Sequence, residues 1–128
     1  MPRYAILLHE TPPNYPRPTH WDFMLEEGSS LLTWALASEL TFDHSISAER
    51  LADHRLAYLE FEGPVSEGRG RVTQWDTGHF EWVQRCENQI TVFLNGKRCR
   101  GLVTLTREGI EDRGEADLQR WSVSLRKS

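Results

Sequence analysis

A chain of 128 residues holds one domain, read here as residues 1–128, and leaves no room for a second. With 38% hydrophobic residues, five Trp and 27% charged residues it can bury a core and is not a disordered chain. A net charge of −4 excludes the footprint of a protein that grips long duplex DNA through many phosphates, while permitting recognition of a strand end. No apolar run reaches the ~20 residues of a membrane span, and the N-terminus lacks the h-region and cleavage site of a signal peptide, so a cytoplasmic protein with no membrane partner is expected. Cys86 and Cys99 lack zinc spacing and are too few for a disulfide framework; they read as reduced thiols in or near a sheet. A monomer is the expected state.

In chain order, Arg3 to His9 reads as a strand. Glu10 to Thr19 carries Pro12, Pro13, Pro16 and Pro18 and must be a loop, because proline removes backbone donors and fixes φ. His20 to Glu26 alternates polar and apolar residues, the signal of a half-buried strand. Trp21, Phe23 and Leu25 fall on one face, and His20, Asp22, Met24 and Glu26 on the other. Glu27 to Ser30 turns the chain, and Leu31 to Leu36 is the hairpin partner. Ser47 to Asp53 reads as a short helix, with Ser47 as N-cap and Glu49 in the first turn. Short strands follow at Tyr58 to Phe61, Arg71 to Trp75, His79 to Val83, Gln89 to Leu94, Gly101 to Arg107 and Trp121 to Leu125. Turns containing glycine separate several of them, at 67–70, 76–78 and 95–96. Glu108 to Asp117 reads as a solvated acidic loop. Many short strands in one small domain predict a mainly β protein, an antiparallel barrel or sandwich.

His20-x-Asp22 carries the first chemistry. Two residues apart on a strand, an imidazole and a carboxylate project from one face about 7 Å apart along the chain and can bend toward one cation. These ligand types suit Mn²⁺, Fe²⁺ or Zn²⁺. His9 and His54 are the candidates for a third ligand. His54 and Tyr58 form a second pair: an imidazole can donate a proton near a scissile phosphate, and a phenol can hydrogen-bond a phosphoryl oxygen. His44 and His79 sit in or beside turns with no assigned role. Trp34, Trp75, Trp82 and Trp121 read as core or rim aromatics, and Lys97, Arg98 and Arg100 as a solvated turn.

Six segments, taken in order, resemble one family. His9 closes the first strand; then come His20-Trp21-Asp22-Phe23-Met24-Leu25-Glu26, Thr33-Trp34-Ala35-Leu36, and His54-Arg55-Leu56-Ala57-Tyr58-Leu59-Glu60-Phe61-Glu62-Gly63. Trp75-Asp76-Thr77-Gly78 and Gly96-Lys97-Arg98-Cys99-Arg100-Gly101 complete the set. In this order they resemble the 3′-phosphoesterase domain of bacterial DNA ligase D. The resemblance implies a small antiparallel β-barrel with short flanking helices. It implies a Mn²⁺ site (or another divalent transition metal) from His9, His20 and Asp22, with His54 and Tyr58 on the phosphate. The implied substrates are DNA 3′ ends on a primer–template, from which a 3′-phosphate or a 3′-terminal ribonucleotide is removed before a DNA ligase or polymerase acts on the same break.

The chain departs from the family at two basic positions. Met24 stands where the family has an arginine on the proposed metal face, and Ser38 where it has a lysine. Arg17 in the lengthened loop and Arg50 are the first candidates to bind substrate instead, with Arg69 and Arg71 behind them. Losing both family cations also favours an alternative, a catalytically weak or inactive module that binds DNA ends or a repair protein. A third reading is a non-haem iron oxygenase with His20, Asp22 and His54 as its facial triad and Arg120-x-Ser122 as a carboxylate clamp; the short chain opposes it.

Overall fold

The computed structural model describes residues 1–112 and 117–127. The alternating segments form β1 (Arg3–Glu10), β2 (His20–Glu27), β3 (Ser30–Leu36), β4 (Ser45–Arg55), β5 (Gly63–Pro64), β6 (Arg71–Cys86), β7 (Gln89–Gly96), β8 (Arg100–Asp112) and β9 (Asp117–Arg126). They are antiparallel neighbours in the order β1-β2-β3-β4-β9-β8-β7-β6-β5, and β1 pairs with β6 as well as with β2. The sheet therefore closes into a ring, which removes the open edges that invite pairing with other chains. β5 is a two-residue flap on β6.

Closure gives the sheet an inside and an outside. Tyr4, Ile6, Phe23, Leu25, Trp34, Phe80, Leu94 and Val123 are buried within the inner core. A second, smaller cluster lies on the outer face of β1 and β2: Ala5, Leu7, Met24, Leu31, Leu59 and Val72. Residues 56–65 cross that face as a strap, and Leu56, Tyr58, Phe61 and Val65 of the strap pack on the cluster.

Five sequence expectations are corrected. The expected flanking helices are absent among the described residues, where the one helical element is a 3₁₀ turn, Leu56–Leu59. The helix read over Ser47 to Asp53 is strand β4: Ile46 and Ala48 are buried between exposed Ser45 and Ser47, and pairing with β3 and β9 overrides the helix propensity of Ala, Glu and Arg. The strand read over Tyr58 to Phe61 is instead the end of that 3₁₀ turn and the irregular residues after it, because Leu56 and Leu59, three residues apart, both reach the outer cluster. The turn read at 76–78 does not exist, since β6 runs unbroken through it. The acidic loop read over Glu108 to Asp117 is strand up to Asp112 and again from Asp117, and residues 113–116 lie outside the described residues.

Asp76 explains the continuity of β6. The β1–β6 register shifts between Ile6 and Leu7, so that Asp76 lies opposite Ile6 and Gln74 opposite Leu7. This bulge turns Asp76 inward. Its carboxylate accepts hydrogen bonds from the backbone N–H groups of Lys97 (3.0 Å), Arg98 (2.8 Å) and Cys99 (3.0 Å), and from the Tyr4 hydroxyl (2.5 Å). Gly96 permits this approach, since a Cβ there would collide with the Tyr4 hydroxyl and Asp76. Asp76→Ala removes the acceptor of four donors, of which the Tyr4 hydroxyl and the Cys99 N–H are buried, each buried donor costing about 1–3 kcal/mol when unpaired. We expect a loss of at least about 3 kcal/mol in urea unfolding, with Asp76→Asn losing less. Cys99 is buried, and burial first, then Asp76, pushes its thiol up to about 12, whereas Cys86 is exposed. Alkylation of the native protein near pH 8 is expected to label Cys86 alone, read by peptide mass mapping.

Candidate active site

β1 and β2 pair with His9 opposite His20 and Leu7 opposite Asp22. Directly paired residues share a face, so His9, His20 and Asp22 gather on the outer face beside the apolar cluster. The His9 and His20 ring centroids are 4.8 Å apart. His20 Nε2 lies 3.1 Å from Asp22 Oδ1, and His9 Nδ1 lies 3.6 Å from Asp22 Oδ2. One ligand atom from each residue falls within 4.8 Å of the other two.

Backbone carbonyls fix both imidazoles. His20 Nδ1 donates to the Pro18 carbonyl (2.8 Å), and His9 Nε2 donates to the Arg69 carbonyl (2.7 Å). A carbonyl oxygen only accepts, so those nitrogens carry the hydrogens. The neutral rings then aim lone pairs from His20 Nε2 and His9 Nδ1 at an anionic carboxylate. Asp22 Oδ1 is accordingly buried without a hydrogen-bond donor despite its near neighbour. Three electron-pair donors converging on one point require a proton or a cation between them. A carbonyl on the far nitrogen is also the usual way a protein orients a metal-ligating histidine. Bonds of about 2.1 Å to a transition metal give ligand–ligand edges of about 3.0–3.4 Å, close to the two separations seen here. The donor set fits a divalent transition metal.

Electrostatics agree. Burial pushes the Asp22 carboxyl up, but pairing of its anion with His20 and His9 in their protonated forms outweighs burial and holds it at about 2. The hydrogen bond that a protonated His9 would make to Asp22 raises His9 above its ordinary value against the opposing effect of burial, the proton standing where a cation would.

The cluster opens into a cleft of about 310 Å³ lined by His9, Asp22, Asp53, His54, Arg55, Tyr58 and Arg69, with Leu7, Val65 and Val72 as its apolar floor. His54 reaches it through a second bulge. The β3–β4 register shifts between Leu31 and Thr33, which puts His54 opposite outward-facing Leu31. Its Nδ1 donates to the Ala52 carbonyl (3.0 Å), leaving Nε2 available, and its ring meets Tyr58 edge-on at 5.7 Å. The Arg69 guanidinium is pinned by bonds from Nε to the Ser66 carbonyl (2.9 Å) and from Nη2 to the Ser66 hydroxyl (3.0 Å). Gly70, at φ +97°, has the backbone of Glu10 where a Cβ would sit, and this contact seats the loop against β1.

The structure thus brings His9, His20, Asp22, His54 and Tyr58 to one place. It puts Arg17 and Arg50 elsewhere. Arg17 pairs with Glu49 (2.9 Å) and lines a separate cleft with Pro18, Leu36 and Ser47, on which His20 also borders. Arg50 lies opposite Trp34, stacks over its indole at 4.6 Å and approaches Asp53 at 3.8 Å. Met24 is fully buried in the outer apolar cluster and does not line the cleft. Arg55 was missed by the sequence reading; its position directly after His54 was the available signal. The carbonyls of Pro18 and Arg69 left no signal in side-chain identity.

A closed antiparallel sheet with a two-histidine, one-carboxylate cluster at the head of a polar cleft that carries two arginines defines the class. The sequence then fixes the family. Residues 13–107 match the family model of the DNA ligase D 3′-phosphoesterase domain. The chain is 31% identical over 103 residues to the multifunctional non-homologous end joining protein LigD of Mycobacterium bovis, covering 73% of this chain and 14% of that protein. The corresponding DNA repair protein of Mycobacterium tuberculosis gives the same figures. That of Pseudomonas aeruginosa is 32% identical over 81 residues, covering 59% of this chain and 9% of the relative. The chain belongs to the DNA ligase D 3′-phosphoesterase domain family and spans a small part of the length of these relatives.

Restoring the family arginine is not expected to restore a grip. Met24→Arg places a guanidinium inside a closed apolar cluster, at a cost on the order of 3 kcal/mol. The expected result is a lower midpoint of thermal unfolding with no gain in phosphate affinity.

Proposed function

We propose that this domain is a metal-dependent 3′-end-processing phosphoesterase of DNA ends, removing a 3′-phosphate, a 3′-terminal ribonucleotide, or both. The observation that carries the reading is the pair of carbonyl-locked imidazoles facing Asp22 at the head of a cleft that holds His54, Tyr58, Arg55 and Arg69. His9, His20 and Asp22 would hold Mn²⁺ or another divalent transition metal. When bound, such an ion supplies Lewis-acid polarisation of a phosphoryl oxygen and neutralises developing charge.

The remaining work falls to the chain's own groups. Arg69, fixed by Ser66, presents its remaining N–H groups to a phosphate without first having to be ordered. Arg55, near the Tyr58 ring at 6.0 Å, adds a second cation at the cleft. These two, rather than Arg17 and Arg50, take the place of the cations lost at Met24 and Ser38. The Tyr58 hydroxyl orients the phosphate, and His54 Nε2 is the atom placed to exchange a proton with it. The context of such ends is a break undergoing end joining, as in the names of the relatives, where a ligase or polymerase would act next.

Two primer–templates, one ending in a 3′-phosphate and one in a single 3′-ribonucleotide, test the reading with and without Mn²⁺. Metal-dependent product is expected from at least one, and none from Asp22→Ala. Arg69→Gln is expected to lower kcat/KM on the order of 10²-fold while leaving Mn²⁺ affinity unchanged, because His9 is held by the main-chain carbonyl. Absence of product from folded, metal-loaded protein would overturn the enzyme reading and leave the end-binding module.

A further inference from the structure

A second cleft on the outer face lies on the opposite side of the strap. It measures about 370 Å³ and is lined by Arg3, His79, Asn95, Lys97 and Arg100, with Leu59 and Glu60 of the strap forming one wall. In a chain of net charge −4, three permanent cations and a histidine against one carboxylate form a local concentration of positive charge. Arg3 is partnered by Glu26 at 3.6 Å. No salt bridge joins Lys97 or Arg100 to an acid among the described residues, so their charge remains available to an external anion.

The hairpin that carries these cations is firmly held. The Lys97 and Arg98 N–H groups are bound by buried Asp76, the Lys97 N–H also approaches the Thr77 carbonyl at 3.3 Å, and Gly96 sits against Tyr4. Arg98 stacks over Trp75 at 4.8 Å beside it. A buried carboxylate spent on positioning a surface turn fixes the direction in which its cations project.

The placement relative to the candidate active site supplies the ligand. Arg3 and His9 are both on β1 and, six residues apart, share its outer face. A strand rises about 3.3 Å per residue, so the basic cleft lies roughly 20 Å from the His9 cluster. One strand of a duplex carries a phosphate about every 3.4 Å along the axis, so that distance corresponds to about six nucleotides. We propose that the Lys97–Arg100 cleft binds the sugar–phosphate backbone of the strand whose 3′ end occupies the His9–His20–Asp22 cleft, some nucleotides upstream of that end. The proposal rests on the DNA-end reading above. It assigns affinity for longer DNA to one hairpin and chemistry to the other side of the strap.

The test compares wild type with Lys97→Gln/Arg100→Gln, using a fluorescent primer–template long enough to reach both clefts and a 3′-phosphorylated dinucleotide that reaches one. By anisotropy, the double variant is expected to bind the primer–template about tenfold more weakly, with its salt slope reduced by about two. Turnover of the dinucleotide is expected to be unchanged, as is the unfolding midpoint. Lys97→Arg/Arg100→Lys keeps the charge and is expected to bind like wild type. Equal affinity and salt slope for the Gln variant and wild type overturn the cleft assignment and leave the enzyme reading standing. Equal loss in the charge-keeping variant also overturns it, because shape rather than charge would then be at work. If wild type turns over neither substrate, the enzyme reading fails, and anisotropy still decides the cleft.

Discussion

The Asp76 carboxylate ties together the parts that make the ring possible. It sits at the β-bulge where β6 leaves its regular register with β1, and it takes up three N–H groups of the turn between β7 and β8 and the hydroxyl of Tyr4 on β1. Two strands and a turn are thereby joined at one acceptor. β1 then lies in fixed register between β6 and β2, and His9 is brought opposite His20. A stretch that reads as a turn is thus the point from which closure of the sheet, and the candidate site that depends on it, is organised.

The site itself shows how much of such an arrangement a sequence displays. His20 and Asp22 were legible as a same-face pair because strand alternation is local. His9 and His54 required pairing partners more distant in the chain, and His54 required a bulge that changes which residues of β4 face outward. That bulge also hid β4 itself: Ile46 and Ala48 alternate clearly, but the pattern fails before Asp53, and a capped helix was the better local account of Ser47 and Glu49. The carbonyl locks on the imidazoles lie beyond any reading of side chains, because every residue type has a carbonyl and only the loop path decides where it points.

The change at position 24 is equally a matter of surroundings. On an isolated strand, Met24 shares the face of His20 and Asp22 and looks like a lost contact. In the folded chain the strap covers that part of the face and makes it apolar, so methionine is the residue the position calls for. The cations of the cleft are Arg55, at the end of β4, and Arg69, in the loop after the strap. Arg17 and Arg50 were reasonable by type and proximity in sequence, but Glu49 engages one and Trp34 and Asp53 the other.

The hydrogen bond from His9 to the Arg69 carbonyl separates two kinds of variation. The support it gives the imidazole is indifferent to the side chain at position 69, while the side chain that projects into the cleft is free to differ. This residue can therefore be exchanged without disturbing the histidine beneath it. Gly70 has no such latitude, because its positive φ and the adjacent Glu10 backbone set the path that delivers the carbonyl. Variation is accordingly tolerated at 69 and barred at 70.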